Sequence, residues 1–272
     1  MWCDYIYNRT TSDGPVDRTV RGFTFRREGK APVTAVSTAC HCVFRGRSTA
    51  VSADLAGAVN RLMEERGYES LFLNGVCGDI DPWNPSDERL DACAKLVTEV
   101  FAATEQPLPL TLAAGALPFT LRLMKVTKDD IRAAAQGAVE RAGGEEEPAA
   151  RVALIWEKEM LAKLDTISSE EPISVQYAVL GGVPIIALPF ETFTRTGQLI
   201  RECISRQDAL ALGCADELLG YLPTMDDIGR GSYAALESTF LYKRLPVVLG
   251  EAERLGEEMG CLLAGVLGKE NK

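Results

Sequence analysis

Two β-rich runs open the chain, residues 20–27 (VRGFTFRR) and 32–38 (PVTAVST), with Glu28-Gly29-Lys30 between them as a hairpin turn. Leu55, Val59 and Leu62 then recur at helical spacing, which predicts a helix over residues 53–66 with Ser52 as its N-cap and Gly67 as its stop. A short apolar strand follows at 70–73 (SLFL), so strand, helix and strand form a crossover unit. Ser86 starts a second helix running to Ala103, and residues 107–125 read as extended. Thr127 followed by Asp130 is a capping box for a third helix into Val139. After the solvated turn Gly143-Gly-Glu-Glu-Glu-Pro148, a fourth helix spans residues 149–164. Residues 173–179 and 183–188 bracket Gly181-Gly182 as a hairpin. Thr192 or Thr194 caps the next helix, which ends near Arg206. An apolar strand at 209–214 feeds a loop over 215–233, and a last helix covers 245–267.

The pattern predicts an α/β fold, a mixed sheet flanked by helices, with loops at strand ends available for a ligand. No repeat and no clear linker divides the 272 residues, so one domain is expected, with residues 127–165 as a peripheral helical excursion. Hydrophobic residues make up 46% and charged residues 25%, the balance of a globular chain and not of a disordered or fibrous one. The net charge of −10 (29 basic against 39 acidic side chains) repels phosphate backbones, so nucleic acid is not an expected partner, and it argues against a polybasic membrane anchor. No run approaches the roughly 18 apolar residues of a transmembrane helix, and the N-terminus has no signal-peptide pattern, so a cytoplasmic location is expected.

The eight cysteines include no Cys-x-x-Cys pair and read as reduced thiols. Cys40 and Cys42 flank His41, alternate to the opposite face of an extended segment, and read as small buried hydrophobes. Histidine is the informative count: His41 stands alone, which excludes any two-histidine metal site built from this sequence. Polar groups follow apolar strands in three loop regions, residues 40–52, 74–84, and 189–196 with 215–233. Taken singly, each candidate has a plain structural alternative. His41 fits a hydrogen-bonded core imidazole, and Glu191 a carboxylate favoured at a helix N-terminus. Tyr221 and Tyr233 fit packing aromatics, Gly78-Asp79-Ile80-Asp81 fits an Asx turn, and Arg9 fits a frayed chain end.

Together and in order, these segments resemble the neutral, non-lysosomal ceramidases and their short bacterial relatives. The matching stretches are STACHCVFRGRSTAVSADLAGAV, LFLNGVCGDIDPW, VPIIALPFETFTRTGQLIRE and LLGYLPTMDDIGRGSYAALEST, preceded by NRTTSDGPVDRTVRGFTF. The resemblance implies a zinc-dependent hydrolase that cleaves the amide of an N-acylsphingosine-like or other N-acyl substrate with a zinc-bound water. It implies Zn²⁺ as cofactor and a small-molecule or lipid-like amide as partner, in sphingolipid metabolism or beside it. His41, Glu191 and Tyr221 match the family's zinc ligands. Tyr233 matches a tyrosine that binds or polarises the substrate carbonyl, and Arg9 matches an active-site arginine. Nitrogen and oxygen donors suit Zn²⁺, whose bound water reaches a pKa of about 7.

The departures set further expectations. The family's His-Thr-His-Ser-Gly segment, which supplies another zinc-ligand histidine, has no counterpart here, nor has its C-terminal β-domain. An N-terminally incomplete catalytic domain with an incomplete zinc site is therefore expected, the missing part supplied by a longer chain or by a partner in an oligomer. Asp81 stands where the family has serine, as an acid/base or as an additional metal contact, and Phe190 stands where the family has glycine. The alternative reading is a catalytically degraded member that keeps the fold and binds a small molecule.

Overall fold

The computed structural model describes residues 4–270, so the expectation for Cys3 lies outside the described residues. In chain order the elements are β1 (Ile6–Asn8), β2 (Arg21–Phe25), β3 (Val33–Thr38), α1 (Asp54–Glu65), β4 (Glu69–Asn74), β5 (Ile80–Pro82), α2 (Asp87–Ala103) and β6 (Leu112–Arg122). They continue with α3 (Lys128–Ala142), α4 (Pro148–Lys163), β7 (Glu170–Leu180), β8 (Val183–Ala187), β9 (Glu191–Thr192), α5 (Thr194–Ile204), β10 (Leu210–Leu212), β11 (Tyr221–Leu222), α6 (Met225–Gly229), α7 (Glu237–Tyr242) and α8 (Glu251–Glu270).

Two crossover units make the frame. β3 and β4 run parallel through α1, with β2 antiparallel on the outer side of β3. β8 and β10 run parallel through α5, and β7 and β6 extend that sheet antiparallel in the order β10-β8-β7-β6. A bridge between Gly75 and Leu212 joins the ends of β4 and β10. The C-terminal ends of both parallel pairs therefore meet, and the chain leaves them through segments 39–42, 75–79, 188–191 and 213–220. This is the α/β architecture expected from the alternating pattern, with its loops at strand ends.

Local sequence explains most elements. The Thr127–Asp130 capping box is present at α3, whose last turn is closed by Gly143 in the left-handed region. Ser86 caps α2 by accepting from the Arg89 amide. The α1 start differs from the expectation. Asp54, at φ +49, folds its carboxylate back onto the amides of Phe44, Arg45 and Leu55, and Ser52 accepts from Asp54 N instead of capping the helix. The last helix starts at Glu251, because residues 246–248 are extended and pair with the end of β6 (Met124 N to Pro246 O, Val248 N to Arg122 O).

The cores follow the two units. Leu55, Val59 and Met63 of α1 pack with Val36 and with Leu90 and Val97 of α2. A larger core gathers Phe119, Leu121, Val175 and Ile186 from the sheet with Ile200 of α5, Leu255, Met259 and Leu263 of α8, and Ile131, Trp156 and Met160 of α3 and α4. Fully burying a side chain of this size contributes about 1.5–3 kcal/mol. The Cys40, Cys42, Cys77, Cys93, Cys203, Cys214 and Cys261 thiols are all free. Among the described residues no helix is long and apolar enough to cross a membrane.

Two buried carboxylates tie these layers electrostatically. Asp17 takes Arg21 at 2.8 Å and Arg201 of α5 at 2.9 Å. Glu251, fully buried at the start of α8, accepts from Arg122 N, Arg122 Nε and Arg254 Nε at 2.7–2.9 Å. Burial alone would raise both pKa values, but the guanidiniums outweigh it and hold both carboxyls below their ordinary range. With folded values below the unfolded ones, their stabilisation is present above about pH 4 and is lost as the pH falls through the folded values. We expect the urea midpoint to hold from pH 7 to 5 and to drop below pH 4. Asp17→Asn, which strands the buried Arg201 charge, should cost about 3–5 kcal/mol at pH 7. A midpoint unchanged down to pH 3 would contradict this account.

Candidate functional site

The site lies where the strand ends meet. β3 ends at Thr38, and the chain turns so that His41 N donates to Ile80 O at 3.0 Å, fixing the imidazole against the loop after β4. Glu191 follows β8 and forms β9, which pairs parallel with β11 in the register Glu191–Tyr221. Glu191 N donates to Gly220 O at 2.9 Å, so the carboxylate and the phenol stand side by side. The loop after β4 then packs directly on β9. Gly78 N donates to Thr192 O at 2.8 Å, and a Cβ on Gly78 would lie 2.3 Å from the Glu191 carbonyl oxygen. Only glycine permits that approach.

Three side chains from separate elements converge. His41 Nε2 is 3.5 Å from Glu191 Oε2 and 3.4 Å from the Tyr221 hydroxyl. Arg9 joins them from the end of β1. Its amide donates to Asp79 O, and its Nη2 donates to the Tyr221 hydroxyl at 2.8 Å and to Gly78 O at 3.1 Å. Arg9 Nη1 faces Asp81 Oδ1 at 3.6 Å, and that oxygen is buried without a hydrogen-bond donor. Tyr233 stands at the mouth, 43% exposed, with its ring edge-on to Tyr221 at 5.9 Å. All six residues singled out in the sequence thus lie in one connected cluster. Phe190, in place of glycine, turns its ring into the larger core.

The environment sets protonation. Burial, then Arg9, lowers the His41 pKa against the opposing pull of Glu191 and Asp81, so the imidazole is neutral at pH 7. Burial and a hydrogen bond to Glu191 push the Tyr221 phenol far up, while Arg9 pulls it down. Burial also raises Tyr233, with Glu191 adding to it. The neighbouring thiols are protonated: burial pushes Cys42 and Cys214 up to about 11 and Cys77 well above its ordinary value.

Three residues at the site escaped the sequence reading. Tyr242, the last residue of α7, donates its hydroxyl to Glu191 Oε1. Cys77 places Sγ 3.8 Å from His41 Nδ1 and accepts from Asn74 Nδ2 at 3.2 Å. Asp79 is buried under the loop, where it accepts from Asn8 Nδ2, Thr194 N and Thr194 Oγ1, each at 2.8 Å. Burial pushes Asp79 up to about 6 against those donors. Tyr242 ends an ordinary amphipathic helix and carries no motif. Asp79 was within reach of the sequence, since the residue beside a tightly packed glycine is well placed to tie a loop down.

Among the described residues no three His, Cys, Asp or Glu side chains group so as to hold a metal. The trio here has only two donors of those types and completes itself with a phenol. Its spacing nevertheless fits a cation. Tetrahedral Zn²⁺ with bonds of about 2.0–2.1 Å places its ligand atoms about 3.3–3.4 Å apart, close to the observed 3.4 and 3.5 Å.

No family model matches the chain, and no curated protein matches it. Its fold is similar to that of a neutral ceramidase from Pseudomonas aeruginosa, with a TM-score of 0.62, 13% identity, and coverage of 97% of this chain and 51% of that one. It is similar also to a ceramidase complexed with C2, with a TM-score of 0.62, 12% identity, and coverage of 97% and 52%. The chain spans about half the length of these ceramidase chains. The fold is therefore ceramidase-like.

Gly78→Ala tests the contact that builds the cleft. The added methyl must push the Glu191 backbone away, and overpacking of this kind costs about 1–3 kcal/mol. A lowered urea midpoint is expected; wild-type stability would show that the loop and β9 are not held together as described.

Proposed function

We propose that this chain is a zinc-dependent amidohydrolase of the neutral ceramidase type, with His41, Glu191 and Tyr221 as its metal ligands. The observation that carries the proposal is a carboxylate oxygen and a phenol oxygen, each within 3.5 Å of one imidazole nitrogen and each from a distant part of the sequence. The ordered sequence motifs and the ceramidase-like fold support it. A bound zinc ion supplies a Lewis acid and a water of lowered pKa.

The protein groups have separable tasks. His41 is neutral and so available to a cation through Nε2. Arg9 donates to the Tyr221 hydroxyl, which favours the phenolate that a cation requires, and Asp81 holds the guanidinium from its other side. Tyr233, half exposed at the mouth, is free to donate to the carbonyl oxygen of a bound amide as charge develops there. The proposed substrate class is an N-acyl amide, N-acylsphingosine among them.

A second reading has its own observation. Three donors with a single histidine is a minimal set, and a member that binds a small molecule without turnover would keep the same cleft. One experiment separates the two. Purified full chain is loaded with zinc, its metal content is measured, and hydrolysis of N-acetyl and longer N-acyl amides is followed. We expect about one zinc per chain, lost in His41→Ala and Glu191→Ala, and turnover that falls about 10²–10³-fold in Tyr233→Phe. Zinc without turnover favours the binding protein. No zinc, or zinc retained by both alanine variants, overturns the assignment of these ligands.

A further inference from the structure

We propose that Tyr242 is a positioning residue for the metal-ligand carboxylate: its hydroxyl holds Glu191 Oε1 so that Oε2 alone faces His41 and the cation. The inference rests on the reading of Glu191 as a ligand. A carboxylate terminus rotates in a broad, roughly two-fold well, so an unrestrained glutamate presents either oxygen or both. Here the two oxygens have different surroundings. Oε2 faces His41 Nε2 at 3.5 Å, and Oε1 accepts from Tyr242. A donor fixed on one oxygen selects a single presentation, which is the task of outer hydrogen bonds at metal sites generally.

The surroundings of Tyr242 fit that task. It closes α7, and the segment just beyond it is pinned, since Trp156 Nε1 donates to Arg244 O at 2.8 Å and Arg244 pairs with Glu171. Its ring packs edge-on to Tyr221 at 6.3 Å. Gly220, immediately before Tyr221, lies at φ +96, and a Cβ there would meet the Tyr242 side chain at 3.0–3.2 Å. The residue preceding one proposed ligand is thus the one whose missing side chain admits the tyrosine that orients another. A phenol also orients the carboxylate without adding a positive charge, which an arginine or lysine in its place would set against the cation.

The test is zinc affinity, measured on the full chain by competition with a fluorescent chelator. Wild type, Tyr242→Phe, Glu191→Gln and the double variant are compared, with circular dichroism and thermal midpoint recorded on each metal-free protein. We expect Tyr242→Phe to bind zinc about 10–100-fold more weakly with unchanged fold, and to cause no further loss in the Glu191→Gln background. Affinity within two-fold of wild type overturns the proposal while leaving the ligand assignment standing, and so does an equal loss in both backgrounds. A wild-type chain that binds no zinc overturns the ligand assignment, and this inference with it.

Discussion

The cleft depends on one backbone contact, the passage of Gly78 against the carbonyl of Glu191. What the contact adds is register between the units: it sets the loop after β4, which leads into the β5 residue that accepts from the His41 amide, against the short β9–β11 pair that carries Glu191 and Tyr221. The hydrogen bond from Gly78 N to Thr192 O and the burial of Asp79 on Thr194 and Asn8 lock the same junction from either side. Ligands at the C-terminal ends of parallel strands are common in α/β folds. Here two such ends are brought face to face.

Placement and charge then distinguish the side chains around the site. Four thiols, those of Cys40, Cys42, Cys77 and Cys214, lie in or beside the loops that carry the site. Cys77 Sγ lies beside His41 Nδ1, on the other edge of the ring from the Nε2 that faces Glu191 and Tyr221. His41 is held neutral by burial and by Arg9. Arg9 is placed to do two jobs, since the guanidinium that lowers the imidazole pKa also donates to the phenol oxygen. Asp81 faces that charge at 3.6 Å, where the resembled family has serine.

Much of this was legible in the chain. The hairpin at Gly181-Gly182, the capping box at Thr127 and the crossover through α1 follow from short-range chemistry, so local pattern sufficed. The six candidate residues were found through ordered motifs, and their side chains lie in one connected cluster. The illegible parts depend on distant contacts. Residues 246–248 read as the start of a helix because they are apolar, yet they extend because the end of β6 offers them hydrogen bonds. Ser52 looked like the cap, but Asp54 turns its carboxylate onto Leu55 N and onto the distant Phe44 and Arg45 amides. Tyr242 carried no local signal at all, because its partner lies 51 residues away and its space is made by a glycine elsewhere.

The central claim is that nitrogen and oxygen donors, and not the neighbouring thiols, take the cation. X-ray absorption at the zinc edge of the metal-loaded full chain reads this directly. The account predicts a shell of nitrogen and oxygen alone at about 2.0–2.2 Å, with the outer scattering of a single imidazole. A sulfur shell at about 2.3 Å would contradict it.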